Sequence, residues 1–185
     1  MANEKKMDCV ILGLLSHESM TGYEIKKRMD ITLKYFWGAS YGSIYPTLNQ
    51  LEKDSLVTKV ETRENGREKI IYTITKSGLV FLEKWLKDSS VKDELRYETL
   101  LKLFFGSQIG PDFTSGHIDR FEEKIKGELP VLKMMVAQLE QIKGMEEAHL
   151  YYLLTAKFGV KVYEAYVEWC EETKQTLSDI KKLTN

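Results

Sequence analysis

The sequence has few of the residues that build disulfide frameworks or metal sites. It has two cysteines and three histidines among 185 residues. Cys9 and Cys170 lie near opposite ends of the chain, and neither they nor the histidines have the paired spacing of a zinc or redox motif. We therefore expect two reduced thiols in helix cores, no metal and no cofactor.

Long apolar runs are also missing. The longest covers residues 9–15, which is too short to cross a bilayer. The first residues lack the apolar core and small-residue cleavage site of a signal peptide. We expect a cytoplasmic protein without a membrane segment.

A strong charge of either sign is absent, because the net charge is −1. Residues 1–90 contain 14 Lys and Arg against 12 Asp and Glu, and the remaining residues contain 13 against 16. This balance excludes a protein that coats nucleic acid by charge alone. Any nucleic-acid contact must come from a few local cations and from helix N-termini.

Catalytic motifs are absent too. The sequence has no glycine-rich phosphate loop, no Gly-x-Ser-x-Gly elbow and no His-Glu-x-x-His pair, and its carboxylates are spread over helix surfaces. We expect that the chain is not an enzyme.

The first half does contain the pattern of three short helices. Apolar residues recur every three or four positions over residues 7–15, and Thr21 with Glu24 forms a capping box that opens a second helix. The third helix has an apolar stripe formed by Ile44, Leu48 and Leu51.

Polar side chains occupy the rest of the third helix. Pro46 is tolerated only in a first turn, so the regular helix is predicted to begin near Ser43. Hydroxyl and amide groups can contact base edges and phosphates. The candidates on the flanks and outer face, with Pro46, are Tyr41, Ser43, Tyr45, Thr47 and Asn49.

Two strands are predicted next, over residues 56–61 and 70–74, with a hairpin turn at Asn65-Gly66 between them. The cations around the tip of this wing are Arg63, Arg67 and Lys69. Three glutamates lie among them, so a solvated hairpin of mixed charge is the alternative to phosphate contact.

A fourth helix capped by Thr75 and a polar segment at residues 87–90 end this unit. The predicted fold is mainly α with a small β-wing. It consists of an N-terminal winged helix-turn-helix at residues 1–90 and a C-terminal α-helical dimerisation domain at residues 91–185.

The second half carries two heptad-like apolar series. The first predicts one long helix, or two kinked at Pro130, and the second runs through the last segment. Pairing between subunits would bury both, whereas an intrachain hairpin of the same helices is the alternative. The predicted dimer interface comprises Phe121, Ile125, Leu132, Tyr163, Tyr166, Cys170, Leu177 and Ile180.

Aromatic residues crowd the same half. Most are expected in the core, but some could line a cavity for an aromatic effector, because rings stack and phenols form hydrogen bonds. The candidate pocket residues are Tyr97, Phe104, Tyr151, Tyr152, Tyr163 and Trp169.

Together these motifs resemble the PadR family of bacterial winged-helix transcriptional regulators. The first half carries the resemblance at residues 11–15, 21–25, 43–52 and 72–78. Residues 92–95, 101–105 and 166–171 resemble the helical C-terminal part of the longer PadR subgroup.

The resemblance implies a homodimeric repressor that binds an inverted repeat in double-stranded DNA. It places the helix from Tyr41 in the major groove, with Ser43, Tyr45 and Pro46 near DNA, and the wing cations at the backbone or minor groove. Phenolic acids are known inducers in the PadR family. The rival interpretation is a winged-helix module that binds proteins or ligands without binding an operator.

Overall fold

The protein is described by a computed structural model that covers residues 2–37, 41–64, 67–89, 97–142 and 147–184. The chain divides into two compact units, Met1–Asp93 and Glu94–Asn185. The domain boundary predicted after Ser90 falls outside the described residues. The prediction of a mainly helical fold with a small β-wing is confirmed.

The first unit has the element order predicted for a winged helix-turn-helix. A short 3-10 helix at Tyr41–Ser43 leads directly into α3, so the regular helix begins where Pro46 requires it to begin. The elements are α1 (Ala2–Leu15), β1 (Met20–Thr21), α2 (Gly22–Thr32), α3 (Ile44–Lys53), β2 (Val57–Glu64), β3 (Arg67–Ile74) and α4 (Lys76–Lys87).

The three strands form an antiparallel sheet in the order β1-β3-β2. The register of β2 and β3 runs from Val57 opposite Ile74 to Glu64 opposite Arg67. Two residues, Asn65 and Gly66, separate the strands and lie outside the described residues. The long β2–β3 ribbon is the wing.

The core of this unit lies between α1, α2, α3 and the base of the sheet. The predicted stripe of α3 is confirmed, because Ile44, Leu48 and Leu51 are each at most 1% exposed. In α1, Ile11 and Leu15 are buried among them. Burying a large aliphatic side chain contributes about 1.5–3 kcal/mol, so this cluster determines which face of α3 points inward.

Both predicted N-caps are present. Glu24 N–H donates to Thr21 Oγ1 at 3.2 Å, and Thr21 N–H donates to the Glu24 carboxylate at 2.7 Å. These bonds from Thr21 lower the pKa of Glu24. Thr75 Oγ1 accepts from Gly78 N–H at 3.0 Å and donates to the Ser55 carbonyl at 2.8 Å, which ties α4 to the start of β2.

The second unit is built on two long helices. Its elements are α5 (Glu98–Phe104), a 3-10 helix (Gly106–Gln108), α6 (Gly110–Glu140) and α7 (Glu147–Thr184). Of the two alternatives for the segment around Pro130, the structure has the single helix. Pro130 is exposed, and so is Lys126, whose carbonyl would otherwise accept from the backbone N–H at position 130.

α6 and α7 pack against each other as a hairpin within one chain. The seam includes Ile125, Leu132, Tyr163 and Cys170, which are at most 8% exposed. The chain's own helices already cover these four residues, and their predicted place in a dimer interface stays a prediction. The intrachain hairpin buries this part of the two apolar series.

Ion pairs cross the hairpin along its length. Lys181 contacts Asp112 at 2.7 Å near one end, and Lys157 contacts Glu140 at 2.7 Å near the other. Between them lie the pairs Lys174–Asp119, Lys174–Glu122, Lys126–Glu171 and Lys133–Glu164. These pairs are all formed in one antiparallel register, in which the apolar seam is also buried.

Glu122 is the buried member of this network. Its carboxylate is held between Lys174 and Lys126, and these two ammonium groups lower its pKa. A buried carboxylate is stable only when it is paired. Glu122 thus makes the stability of the hairpin depend on pH.

We expect Glu122→Gln to lower the free energy of unfolding at pH 7 by about 2 kcal/mol, because a charged hydrogen bond is lost. Since the folded-state pKa lies below its ordinary value of 4.5, the stabilisation is complete above that pH and is lost as the pH falls through the folded-state pKa. Urea titrations followed by circular dichroism at pH 7, 5, 4 and 3 measure this. In Glu122→Gln the free energy of unfolding should fall less steeply as the pH is lowered. The control Glu123→Gln changes a neighbouring exposed carboxylate and should keep the steeper fall. An equally steep fall in Glu122→Gln would contradict the assignment.

Candidate nucleic-acid interface

The outer face of α3 presents polar and aromatic groups to solvent. Tyr45, Pro46 and Asn49 are exposed there, opposite the buried stripe. Ser43 and Thr47 are half-buried on the flanks. The Tyr41 side chain lies outside the described residues, so its predicted role stays a prediction.

Tyr45 is large, apolar in part and 59% exposed. Its ring packs on the backbone of Gly22, the first residue of α2. The ring therefore contacts the preceding helix on one side and is accessible on the other. Such a side chain is partly immobilised before any ligand arrives, which lowers the entropic cost of binding.

Two side-chain contacts hold the C-terminal half of α3. Lys59 on β2 contacts Glu52 at 2.9 Å, and this hydrogen bond raises the pKa of Lys59. The Gln50 amide donates to Asp54 at 3.0 Å, so its N–H groups are engaged inside the helix. Asn49, the other exposed amide of α3, does not bond to Asp54.

The wing displays its cations on two faces. Arg63 lies opposite Glu68 in the ribbon and Lys69 lies opposite Thr62, and successive residues of a strand point to opposite faces. Arg63 and Lys69 are both exposed, on opposite sides of the ribbon. The Arg67 side chain lies outside the described residues. A ribbon with cations on both faces can approach two phosphate strands.

In the second unit, three of the six candidate pocket residues join one cluster of rings. Tyr97 contacts Phe121 at 6.0 Å and Tyr166 at 5.6 Å between ring centroids. Tyr163 and Trp169 extend the cluster. The other three candidates, Phe104, Tyr151 and Tyr152, are exposed elsewhere on this unit.

The phenols of Tyr97 and Tyr166 share a hydrogen bond of 2.5 Å. Burial and this bond raise the pKa of Tyr166, so the Tyr166 phenol stays neutral at physiological pH. The two rings are thereby held at fixed orientation. They form a rigid aromatic wall at the junction of α6, α7 and the start of α5.

A groove of about 470 Å³ lies beside this cluster, between α5 and α6. Its floor includes Tyr97 and Phe121, and Glu98 is the acidic residue in its lining. The basic and imidazole groups around it are Lys102, His117, Arg120 and Lys124. Sequence reasoning missed these residues because they come from two helices whose packing the periodicity does not specify.

Within the described residues, no group of three or more His, Cys, Asp or Glu side chains is placed to hold a metal ion. No helix in the same part of the chain is long and apolar enough to span a bilayer.

A helix with a buried apolar stripe and an exposed polar face, followed by a β-ribbon with exposed cations, is the arrangement of a winged-helix domain, a fold that many transcriptional regulators use. Comparisons with known proteins agree. Residues 11–84 match the model of the PadR-like family of transcriptional regulators, and residues 95–178 match the virulence activator alpha C-terminal domain. The chain belongs to the PadR-like family.

Individual relatives cover nearly the whole chain. The negative transcriptional regulator PadR of Bacillus subtilis is 28% identical over 167 residues, which are 87% of this chain and 91% of that protein. The crystal structure of smu.1604c from Streptococcus mutans has 31% identity and a TM-score of 0.79, and the match covers 89% of this chain and 96% of that one.

The structure of Bacillus subtilis PadR in complex with operator DNA is also similar, with a TM-score of 0.76 and 26% identity over 92% of this chain and 98% of that one. These relatives include transcriptional regulators and not enzymes, which confirms the non-catalytic role expected from the sequence.

Proposed function

We propose that this chain is a cytoplasmic DNA-binding regulator that acts as a homodimer on an inverted-repeat operator, represses transcription and is released by a small aromatic effector. The observation that supports it best is the rotation of α3. Three residues that are at most 1% exposed hold its inner face, so Tyr45, Pro46 and Asn49 face outward.

An α-helix fits the major groove of B-DNA, which is about 12 Å wide. The exposed first turn of α3 carries Tyr45, and Asn49 lies one turn further on the same side. A phenol can donate to a base acceptor or a phosphate, and an asparagine amide can pair with the edge of adenine. We assign base reading to these two side chains, and positioning to the flanking Ser43 and Thr47.

Phosphate contacts come from the wing in this proposal. Arg63 and Lys69 are exposed on opposite faces of the ribbon, and Arg67 belongs to the same tip by sequence. The glutamates around them keep the local field weak. We therefore expect modest non-specific affinity and a salt dependence that corresponds to a few phosphates.

The proposed homodimer would match an inverted-repeat operator, and exposed apolar groups in the second unit support it. Leu150, Leu154 and Phe158 repeat every four residues along α7 and are each more than 40% exposed. A solvent-facing apolar stripe of this kind is typical of an interface. From the interface predicted earlier, Phe121, Tyr166, Leu177 and Ile180 are partly or largely exposed, and they stay candidates.

Repression is the direction of regulation that the Bacillus subtilis relative's name gives, and we carry it over to this chain. A dimer bound across a promoter competes with RNA polymerase for the same DNA. Two half-sites on one face of the duplex are separated by about 34 Å or a multiple of it. The two copies of α3 must match that separation.

The effector site in this proposal is the groove beside the ring cluster. Tyr97 and Phe121 offer stacking surface, while Arg120 and Lys124 offer positive charge. Lys102 is paired with Glu98 at 2.7 Å. A planar aromatic acid fits both properties. Release from DNA requires that the acid bind one dimer shape more tightly than the other by a few kcal/mol.

The near-zero net charge favours one alternative function, a winged-helix module that binds a protein or a ligand but no operator. Salt distinguishes the two functions. Operator binding should weaken steeply with salt, whereas a protein–protein interface of this composition should not.

The DNA proposal is tested by fluorescence anisotropy with a duplex from the region upstream of the protein's own gene and with an unrelated duplex. Tyr45→Ala and Asn49→Ala should each weaken specific binding by about tenfold, because a base contact is lost. Arg63→Ala should weaken binding to both duplexes alike, and it should reduce the slope of log affinity against log salt concentration by about 1. Lys182→Ala removes the same charge from α7 and should change neither. Unchanged affinities in the first three variants would refute the interface.

The dimer is tested by sedimentation equilibrium at several concentrations. The unaltered chain should have twice the mass of one subunit, whereas Phe158→Glu and Leu154→Glu should shift it toward one subunit, because a charge would be buried unpaired. Phe158→Leu keeps the apolar contact and should stay dimeric. A monomer at all concentrations would contradict the proposal.

The effector site is tested by calorimetry with phenolic acids and with planar cationic drugs of similar size. The acids should bind more tightly, and Arg120→Ala should weaken them by about fivefold through loss of a charged hydrogen bond. Thr99→Val alters a lining residue without changing the charge and should have little effect. The proposed effector site would be contradicted if no phenolic acid binds, or if Arg120→Ala binds the acids as tightly as the unaltered chain.

A further inference from the structure

Gly22 lies where another residue would be expected. It is the first residue of α2, directly after the N-cap Thr21. Its φ lies outside the left-handed region, so the backbone does not require glycine there. Glycine is also a weaker helix former than alanine. Neither the turn nor the helix explains this residue.

What explains it is the ring of Tyr45. A Cβ atom at Gly22 would lie 2.6 Å from Tyr45 Cε1 and 3.1 Å from Tyr45 Cζ. Real Cβ atoms do not approach other atoms this closely, so the ring would have to move. At Gly78 a Cβ would instead meet the Leu56 backbone carbonyl at 2.2 Å, which the fold cannot relieve by a side-chain rotation. Gly22 thus makes room for a side chain, whereas Gly78 makes room for the backbone.

The Tyr45 ring is 59% exposed, so Gly22 covers one side of it and the other side is open to solvent. Within the described residues, no hydrogen bond engages the Tyr45 hydroxyl.

We propose that Gly22 is a positioning residue for DNA recognition: its missing side chain forms a slot that holds the Tyr45 ring in one place at the start of α2. The inference rests on the proposed DNA-binding function. Gly22 touches no base itself. It determines the direction from which Tyr45 approaches the groove, and therefore how well the operator is distinguished from other DNA.

The test is a double-mutant cycle with Gly22→Ala, Tyr45→Ala and the double variant, measured on the upstream duplex and on an unrelated duplex. Gly22→Ala should lower the ratio of specific to non-specific affinity by about five- to tenfold, as expected for one misplaced hydrogen bond, and leave the non-specific affinity and its salt slope unchanged. In the Tyr45→Ala background the same change should have no further effect on binding.

Gly13→Ala is the matched control, because nothing lies within 4 Å of a Cβ at that helical glycine, and it should leave the ratio unchanged. Thermal unfolding adds a second check. The double variant should be more stable than Tyr45→Ala alone, since the alanine then gains helix propensity without a clash. Additive effects of the two substitutions on specificity would overturn the proposal.

A readout without DNA separates this inference from the proposed function. A 3-fluorotyrosine placed at position 45 should give a single fluorine resonance in the unaltered chain and a displaced resonance in Gly22→Ala. An unchanged resonance would overturn the slot even if operator binding holds. A displaced resonance without any preference for the upstream duplex would instead show that the slot exists and that the DNA-binding proposal fails.

Discussion

Burial of three side chains under α3 is the constraint on which the proposed interface depends. Ile44, Leu48 and Leu51 leave that helix one orientation, and every exposed group on it takes its direction from them. The polar groups of the interface contribute little to holding the helix in place. They are consequently able to vary for recognition while the hydrophobic cluster preserves the fold, which is how one architecture can serve many target sequences.

The connections around this cluster are short and specific. Ser55 adopts a left-handed conformation, with φ of 57°, where α3 turns into β2. Its carbonyl accepts from Thr75, the residue that caps α4. Ser55, which precedes β2, is therefore bonded to Thr75, which follows β3. This bond holds the base of the ribbon, while the tip of the ribbon extends away from the core. The position of the tip cations depends on this junction.

Much of the first unit could be predicted from the sequence because its signals are local. The capping box at Thr21 and the helix start at Ser43 each depend on residues a few positions apart. The packing of the second unit is harder to predict from the sequence for a physical reason. An apolar stripe on a helix shows that the surface is covered, but it does not show whether the same chain or a second chain covers it. Cys170 illustrates this, since α6 of the same chain covers it. The slot at Gly22 escaped notice because it joins residues 23 positions apart through a ring, and the groove cations likewise come from separate helices.

The staggered charges across the α6–α7 hairpin restrict how the second unit can move. A slide of one helical turn would displace each lysine by about 5.4 Å and separate Lys157 from Glu140 and Lys181 from Asp112 together. Shear along the seam is thus penalised at both ends at once. A perturbation arriving at one end of the hairpin should travel as a pivot or a roll of a stiff rod, so that its amplitude grows with distance from the fulcrum instead of fading along the helices.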